Sequence, residues 1–482
     1  MASVSRVLVA NRGEIALRVM RSCREMGIST VAVYAEPDAR TPHVFFADER
    51  AALTGSSPRQ AYLDIAQLVR LARERGADAI HPGYGFVSEN PAMAEACLKA
   101  GLTFIGPGAE SMRAMGDKVE ARRRMTAAGV PVVPGSAALK DDRAALAEAE
   151  RIGYPVLVKA AAGGGGIGMR VAQTREELPA AFEACRRAAE TSFASPDVYI
   201  ERYLEHPRHI EMQILADGQG NTLALGERDC SIQRRHQKLL EETPAPGLSE
   251  AQRKVMKEAA VRAAAAVQYQ NAGTIEFIVA GDQFYFLEMN TRLQVEHPVT
   301  EAVLGVDLVR WQIEIARGES LPASGFGDPR GHAIEFRINA EDPLRNFMPT
   351  PRRVIRYAPP SGPGVRVDSG IRPHQEVTPH FDSLLAKLVV YAEDREASIG
   401  RGARALQEFV LTGPKTTIPF HRAILEEADF RAGRISTGFI PDHPGLMDRA
   451  RGFASEPSPM EQLYGAAGVA AAIAAGMVAV EG

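Results

Sequence analysis

Residues 271–300, reading NAGTIEFIVAGDQFYFLEMNTRLQVEHPVT, restrict this chain more than any other stretch, because they set carboxylates against one another on an apolar surface. Two β-rich runs, 274–279 and 284–289, flank Gly281 and Asp282, the pattern of an antiparallel hairpin with a short glycine-containing loop. Strand side chains alternate between faces. Ile275, Phe277 and Val279 then share one face with Tyr285, Leu287 and Met289, while Glu276, Glu288 and Asn290 fall on the other with Ile278, Phe284 and Phe286. If the loop is three residues, Glu276 lies directly opposite Glu288, with Cβ atoms roughly 4.5–5.5 Å apart. Like charges that close stay ionised beside a cation, and two carboxylates with an amide form an oxygen donor set suited to Mg²⁺ or Mn²⁺. The plain alternative is one glutamate exposed at a strand end, and the triple on one face argues against it.

Arg292, Gln294 and Glu296 continue the same parity, and the run is expected to stop at His297-Pro298. One strip therefore offers a cation site, then a fixed positive charge, an amide and a carboxylate. That is a site for a small oxyanion beside a metal-bound phosphate.

The 482 residues suffice for two to four domains. A net charge of −4 argues against a general nucleic-acid surface, which needs clustered positive charge. Cys23, Cys97, Cys185 and Cys230 lie far apart without metal spacing, so buried thiols in a reducing compartment are expected. The start runs straight into a strand-like segment at 6–10, without the regions of a signal peptide, so a cytoplasmic protein is expected. The apolar run at 465–480, mostly Ala and Gly, is too short to span a membrane and reads as a tail.

Strands at 6–10 and 30–34 enclose a helical stretch with Ile15, Val19 and Met20 at helical spacing, a βαβ opening. Its first turn, Asn11-Arg12-Gly13-Glu14, has one glycine where a dinucleotide fingerprint needs three, so only the topology is Rossmann-like. His81-Pro82-Gly83-Tyr84-Gly85-Phe86 follows a further strand at 77–81; it is either a ligand loop at a strand's carboxyl end or a plain turn with an aromatic plug. A linker near 130–135 opens a second unit, in which strand 156–159 ends at Lys159, glycines crowd 163–168, and a strand at 169–172 and a helix at 175–191 follow. Bare N–H groups between two strands suit a phosphate flap better than a flexible linker. It is not a Walker A loop, since no Gly-Lys-Ser/Thr follows. After the expected hairpin of 209–216 with 221–225, the polar run 227–238 reads either as a solvated surface or as a ligand segment. Strand 332–339 aims Glu335, Arg337 and Asn339 at one face.

These residues resemble the biotin carboxylase branch of the ATP-grasp superfamily, along residues 1–445. The resemblance rests on ANRGEIA at 10–16, HPGYGF at 81–86, SEN at 88–90, GDK at 116–118, the glycine loop, RRHQK at 234–238, EMNTRLQVEHPVTE at 288–301 and RINAEDP at 337–343, all in order. It implies an α/β and α+β multidomain fold: a Rossmann-like N-terminal domain at 1–116, an ATP-grasp lid at 117–204, a larger ATP-grasp domain at 205–335, an α+β C-terminal domain at 336–445 and a tail at 446–482. It implies ATP contacts from Lys118, Lys159, Glu201, Leu204, His209, Gln233, His236 and Lys238, with Gly165, Gly166 and Met169 in the lid. Glu276, Glu288 and Asn290 are implied to hold Mg²⁺ or Mn²⁺, in agreement with the hairpin argument. Arg292, Gln294 and Val295 are implied to bind bicarbonate, Glu296 to deprotonate it, Arg337 to stabilise the biotin enolate, and Tyr84 to lie beside the biotin ring.

The implied reaction is attack of bicarbonate on the γ-phosphate of ATP, giving carboxyphosphate, which then carboxylates N1 of biotin. The implied partners are a biotin carboxyl carrier protein, a carboxyltransferase and a second copy of the chain. An acetyl-CoA carboxylase serving fatty-acid synthesis is the expected parent assembly, with propionyl-CoA, pyruvate and 2-oxoglutarate systems as alternatives. The chain is not expected to carry biotin, since it has no Met-Lys-Met site. Two departures stand out: Ile167 where many relatives place Arg or Lys, and Arg202 in place of a common Lys. A different ATP-grasp ligase would share the nucleotide motifs without the 292–296 strip and Arg337, and a non-catalytic homologue would have lost one of these groups.

Overall fold

β1 (Arg6–Val9) buries Val7, Leu8 and Val9, as a parallel strand covered on both faces must. It leads into α1 (Gly13–Glu25), which turns Ile15, Val19, Met20 and Cys23 inward. β2 (Ser29–Tyr34), β3 (Glu49–Ala52), β4 (Ala79–His81) and β5 (Thr103–Phe104) complete a five-stranded sheet ordered β3-β2-β1-β4-β5. All of its pairs are parallel. The order reverses between β1 and β4, and the loops leaving those two strands carry the expected Asn11–Glu14 turn and Tyr84. Such a switch point is where open α/β sheets bind ligands. Asn11 Nδ2 fastens the two loops together, donating to the Pro82 and Tyr84 carbonyls at 2.7 Å each.

The computed structural model describes residues 4–139, 141–160, 169–193, 197–455, 460 and 462–463. The glycine loop at 163–168, with Gly165, Gly166 and Ile167, lies outside the described residues, as does the tail from 464 onward. Among the described residues, no helix is long and apolar enough to cross a membrane.

β6 (Val156–Ala160), β7 (Met169–Ala172) and β8 (Val198–Arg202) form a three-stranded sheet ordered β7-β6-β8. With the helices Asp142–Ile152 and Leu178–Phe193 it encloses its own core of Ala145, Ala149, Val156, Val158, Phe182 and Ile200, among others.

The rest is dominated by one eight-stranded antiparallel sheet. Its strands are β9 (Arg208–Ala216), β10 (Thr222–Arg234), β11 (Gln237–Thr243), β12 (Asn271–Ala280), β13 (Gln283–Asn290), β14 (His332–Asn339), β18 (Val365–Ser369) and β19 (Leu384–Ala392). The short pairs β15 (Glu341–Asp342) with β16 (Met348–Pro349) and β17 (Arg356–Ala358) with β20 (Val410–Thr412) lie beside it. The sheet order is β13-β12-β9-β10-β11-β14-β19-β18. The expected boundary between 335 and 336 falls inside β14, which pairs with β11 on one side and β19 on the other. The strands on the two sides of that expected boundary are therefore one hydrogen-bonded layer.

Two readings are decided by the observed elements. The polar run 227–238 is not a solvated surface: most of it is β10, continuous from Thr222, and Arg228, Asp229 and Ser231 are buried. Arg228 is satisfied by Gln213, Thr274 and Thr300 and Asp229 by Arg208, all outside the run, so no apolar alternation marks it. The strand ends at Asn290, short of His297-Pro298, and these two residues open a helix, His297–Leu304, with proline in its first turn, where a missing N–H costs nothing.

Candidate active site

The hairpin forms with Glu276 paired to Glu288, by a different route from the three-residue loop. Ala280 pairs with Gln283 across a two-residue turn, and a bulge between Glu276 and Phe277 restores the register. Leu287 is the extra residue. The bulge moves Phe284 and Phe286 to the core face, where they pack with Phe277 and Val279, and Leu287 instead lines the cleft.

Glu276 is the most engaged carboxylate of the site. His209 Nε2 lies 2.7 Å from one oxygen, and the other accepts from Asn290 Nδ2 at 2.8 Å, Lys238 Nζ at 2.9 Å and Gln294 Nε2 at 3.1 Å. Burial alone would raise its pKa, but Lys238 and then His209 outweigh burial and hold it far below the ordinary carboxylate range. Glu288 faces the open cleft, and desolvation followed by the Glu276 charge pushes it upward. The Lys238 ammonium lies within hydrogen-bond distance of three carboxylates: Glu211 at 2.6 Å, Glu296 at 2.7 Å and Glu276 at 2.9 Å.

Residues 291–296 are not a strand, so no sheet ladder orders them. Side chains do so instead. Glu89 accepts from Thr291 N at 3.0 Å and Arg292 Nε at 2.8 Å; Arg292 in turn donates to Gln294 Oε1 at 2.8 Å and Asn290 Oδ1 at 3.0 Å. Glu296 is fully buried, one oxygen on Lys238 and the other on Arg337 Nη2 at 2.8 Å. Burial opposes its charge, but Lys238, Arg337 and Arg228 outweigh burial and keep Glu296 well below its ordinary value.

A cleft of about 1230 Å³ brings together Tyr84, Lys118, Lys159, Met169, His209, Gln233, His236, Lys238, Glu276, Glu288, Asn290, Arg292, Gln294, Val295 and Arg337. Glu296 lies behind its wall, reached through Lys238 and Arg337. Glu201 does not line the cleft; it holds Lys159 Nζ at 2.5 Å and Arg122. Leu204 follows β8, half-buried and outside the cleft lining. Arg235 and His236 form the two-residue turn between β10 and β11 with φ of 48° and 66°, a left-handed backbone that non-glycine residues seldom adopt. That turn projects both side chains into the cleft.

Residues 3–112 match the family described as biotin carboxylase, N-terminal domain, and residues 335–442 the biotin carboxylase C-terminal domain. Between them, residues 117–324 match the carbamoyl-phosphate synthase L chain, ATP binding domain. Biotin carboxylase 1 of Bacillus subtilis is 50% identical over 441 residues, covering 91% of this chain and 98% of the relative. The chain belongs to the biotin carboxylase family. A pyruvate carboxylase chain of Methanothermobacter thermautotrophicus is 51% identical over 441 residues, 91% of this chain and 90% of that one. The biotin carboxylase domain dimer of Hydrogenobacter thermophilus 2-oxoglutarate carboxylase, in complex with MgADP, ADP and bicarbonate, superposes with a TM-score of 0.86 at 47% identity, covering 92% of this chain and 98% of that chain. As a biotin carboxylase the protein is an ATP-dependent ligase with the biotin carboxylase activity of a biotin-dependent carboxylase.

Several groups of this biotin carboxylase site escape the sequence reading. Glu211 faces Glu276 across β9 and β12, and the alternation His209, Glu211, Gln213 would have revealed it. Arg228, fully buried, pairs with Glu211 and donates to Gln213 Oε1 at 2.7 Å; nothing in a polar run announces a core cation. Glu241 accepts from Arg337 Nε at 2.6 Å, and burial, partly offset by Arg337, pushes it to about 7. Glu89 sits inside the SEN motif without an assigned role. Lys387, fully buried on β19, had no signal beyond its place in an apolar strand.

Proposed function

We propose that this biotin carboxylase uses bicarbonate and ATP, with Mg²⁺ or Mn²⁺, to carboxylate biotin borne by a separate carrier protein, through carboxyphosphate. The observation that carries the reading is Glu296 held between Lys238 and Arg337, with Arg292 and Gln294 converging beside it and the paired Glu276 and Glu288 next along the cleft. Glu276 and Glu288 in register, with the Asn290 amide two residues on, fit a hard divalent cation by donor chemistry. When bound, that cation offsets charge on the transferred phosphoryl group. Lys118, Lys159, Met169, His209, Gln233 and His236 take the nucleotide, and Glu201 acts through Lys159.

Arg292, Gln294 and Val295 hold bicarbonate while Glu296 accepts its proton. In the present arrangement Glu296 is a weak base, because cations occupy both its oxygens. Nucleotide phosphates compete with Glu296 for Lys238, and displacement of that ammonium frees one oxygen. Arg337 then faces the negative charge that develops on biotin, with Tyr84 beside the ring.

The assembly we infer is a homodimer serving a carrier protein and a carboxyltransferase, supported by the dimeric 2-oxoglutarate carboxylase domain. We carry acetyl-CoA as the final acceptor; pyruvate and 2-oxoglutarate are the acceptors named among the relatives. The direct test is labelled bicarbonate with ATP, Mg²⁺ and biotin. Label fixed into biotin only when all are present is the expected result, and ATP cleavage indifferent to bicarbonate overturns the reading. Transfer from the carboxylated carrier to acetyl-CoA, pyruvate or 2-oxoglutarate by the co-purifying carboxyltransferase decides the acceptor.

A further inference from the structure

Lys387 is a fully buried cation that the roles above leave unused. It stands on β19 directly opposite Arg337 of β14, so two positive side chains share one face of the sheet. An ammonium taken out of water and set beside a guanidinium is costly unless its own partners hold it firmly. Two do. Lys387 Nζ donates to the Val295 carbonyl at 2.9 Å and lies 3.3 Å from Glu14 Oε1, in the first turn of α1. The same Glu14 oxygen accepts from the Tyr84 hydroxyl, and the Tyr84 ring lies beside the ammonium, its centroid 5.9 Å away. The other Glu14 oxygen is buried with no hydrogen-bond partner, so this carboxylate spends its contacts on Tyr84 and Lys387.

We propose that Lys387 is a positioning residue for bicarbonate: it fixes the Val295–Glu296 peptide and ties it, through Glu14, to Tyr84 on the N-terminal domain. The inference rests on the reading of residues 292–296 as the bicarbonate segment. A peptide group is planar, so holding the Val295 oxygen also fixes the plane that carries the Glu296 N and Cα, from which its side chain departs. Because residues 291–296 lack a strand ladder, that tether has few substitutes: Glu89 holds the start of the segment at Thr291, and His297 Nδ1 lies 2.7 Å from the Gln294 carbonyl near its end. Lys387 is thus the point at which the groups assigned to bicarbonate and to biotin share one contact.

The test compares steady-state kinetics of Lys387→Met and the parent with ATP, Mg²⁺, bicarbonate and free biotin. Loss of a charge-assisted hydrogen bond predicts a fall of roughly tenfold or more in kcat/KM for bicarbonate, with the KM for ATP within about twofold of the parent. A purely structural lysine would lower kcat/KM for bicarbonate and raise the KM for ATP together, or change neither, and either result overturns the proposal. Should Lys387→Met not fold, Glu14→Gln decides: it keeps the volume and weakens the hold on the ammonium. A fall of several-fold confined to bicarbonate supports the proposal, and unchanged bicarbonate kinetics overturns it. Arg292→Ala separates the two levels of inference. If Arg292→Ala impairs bicarbonate use and Lys387→Met does not, only the positioning role is lost; if Arg292→Ala leaves bicarbonate use intact, the segment reading fails and takes the positioning role with it.

Discussion

Glu296 bears the sharpest expectation at the level of single residues. A positioned base contributes typically about 10²–10⁴ in rate, so Glu296→Ala should lose about that much bicarbonate-dependent ATP cleavage at nearly unchanged ATP affinity. Phosphoryl transfer from carbamoyl phosphate to ADP, which consumes no bicarbonate, should suffer much less; equal losses would make Glu296 a clamp on Arg337 and Lys238. Glu14 offers a second test, in stability. Burial, partly offset by Lys387, raises it from 4.5 to about 7. The folded state then binds the proton more tightly than the unfolded one, so this contribution is complete below about pH 4.5 and is lost as pH rises through about 7. A shift of that size corresponds to about 3 kcal/mol. The urea midpoint of the parent should therefore fall relative to that of Glu14→Gln between about pH 5 and 7.5, and parallel profiles would show that Glu14 does not titrate there. The residues legible in the sequence were those whose chemistry conflicts with their pattern, such as two glutamates facing each other on an apolar hairpin. Arg228 and Lys387 were illegible because no local pattern names their partners: Gln213 on the neighbouring β9 for Arg228, and the Val295 carbonyl, outside any strand, for Lys387.

Among the elements, the β12–β13 hairpin shows how a correct pairing can follow from an incorrect path. Parity placed Glu276 opposite Glu288, yet the turn is one residue shorter than the three-residue loop and a bulge makes up the difference. The bulge left no trace because Leu287 is plausible on either face. Since the two glutamates are paired neighbours, Glu288→Lys places an ammonium against Glu276 and the hairpin should survive. The variant should melt cooperatively near the parent and show no Mg²⁺-dependent ATP cleavage; retention of parental turnover would remove the paired glutamates from the cation site. β10 failed to show itself for the opposite reason. Strands are recognised by apolar alternation, and a strand that buries Arg228, Asp229 and Ser231 among Cys230 and Ile232 lacks it.

For the molecule as a whole, the βαβ opening and the order of domains could be read from local patterns, whereas the join between them could not. β11 ends at Thr243 and its partner β14 begins at His332, a separation that no local periodicity reports. Ile232, Leu239 and Leu240 pack in the same core as Phe336, Leu388 and Phe420, so ATP-grasp and C-terminal segments depend on one another. A fragment of residues 1–335 would divide β14 and expose that core. It should aggregate or lack a cooperative melt by circular dichroism, and a soluble fragment with a sharp transition would show that the sheet tolerates division.

The same continuous sheet acts as a ruler. Glu276 on β12, Glu211 on β9, Lys238 on β11, Arg337 on β14 and Lys387 on β19 stand on strands of one hydrogen-bonded layer, spaced by roughly 4.8 Å per strand. The span from the paired glutamates to Arg337 is then quantised: it changes by a whole strand or by a slip of register, and a slip of one residue turns every side chain to the wrong face. Drift can reshape the rim and the partners docked on it while the interval between the two chemistries stays fixed.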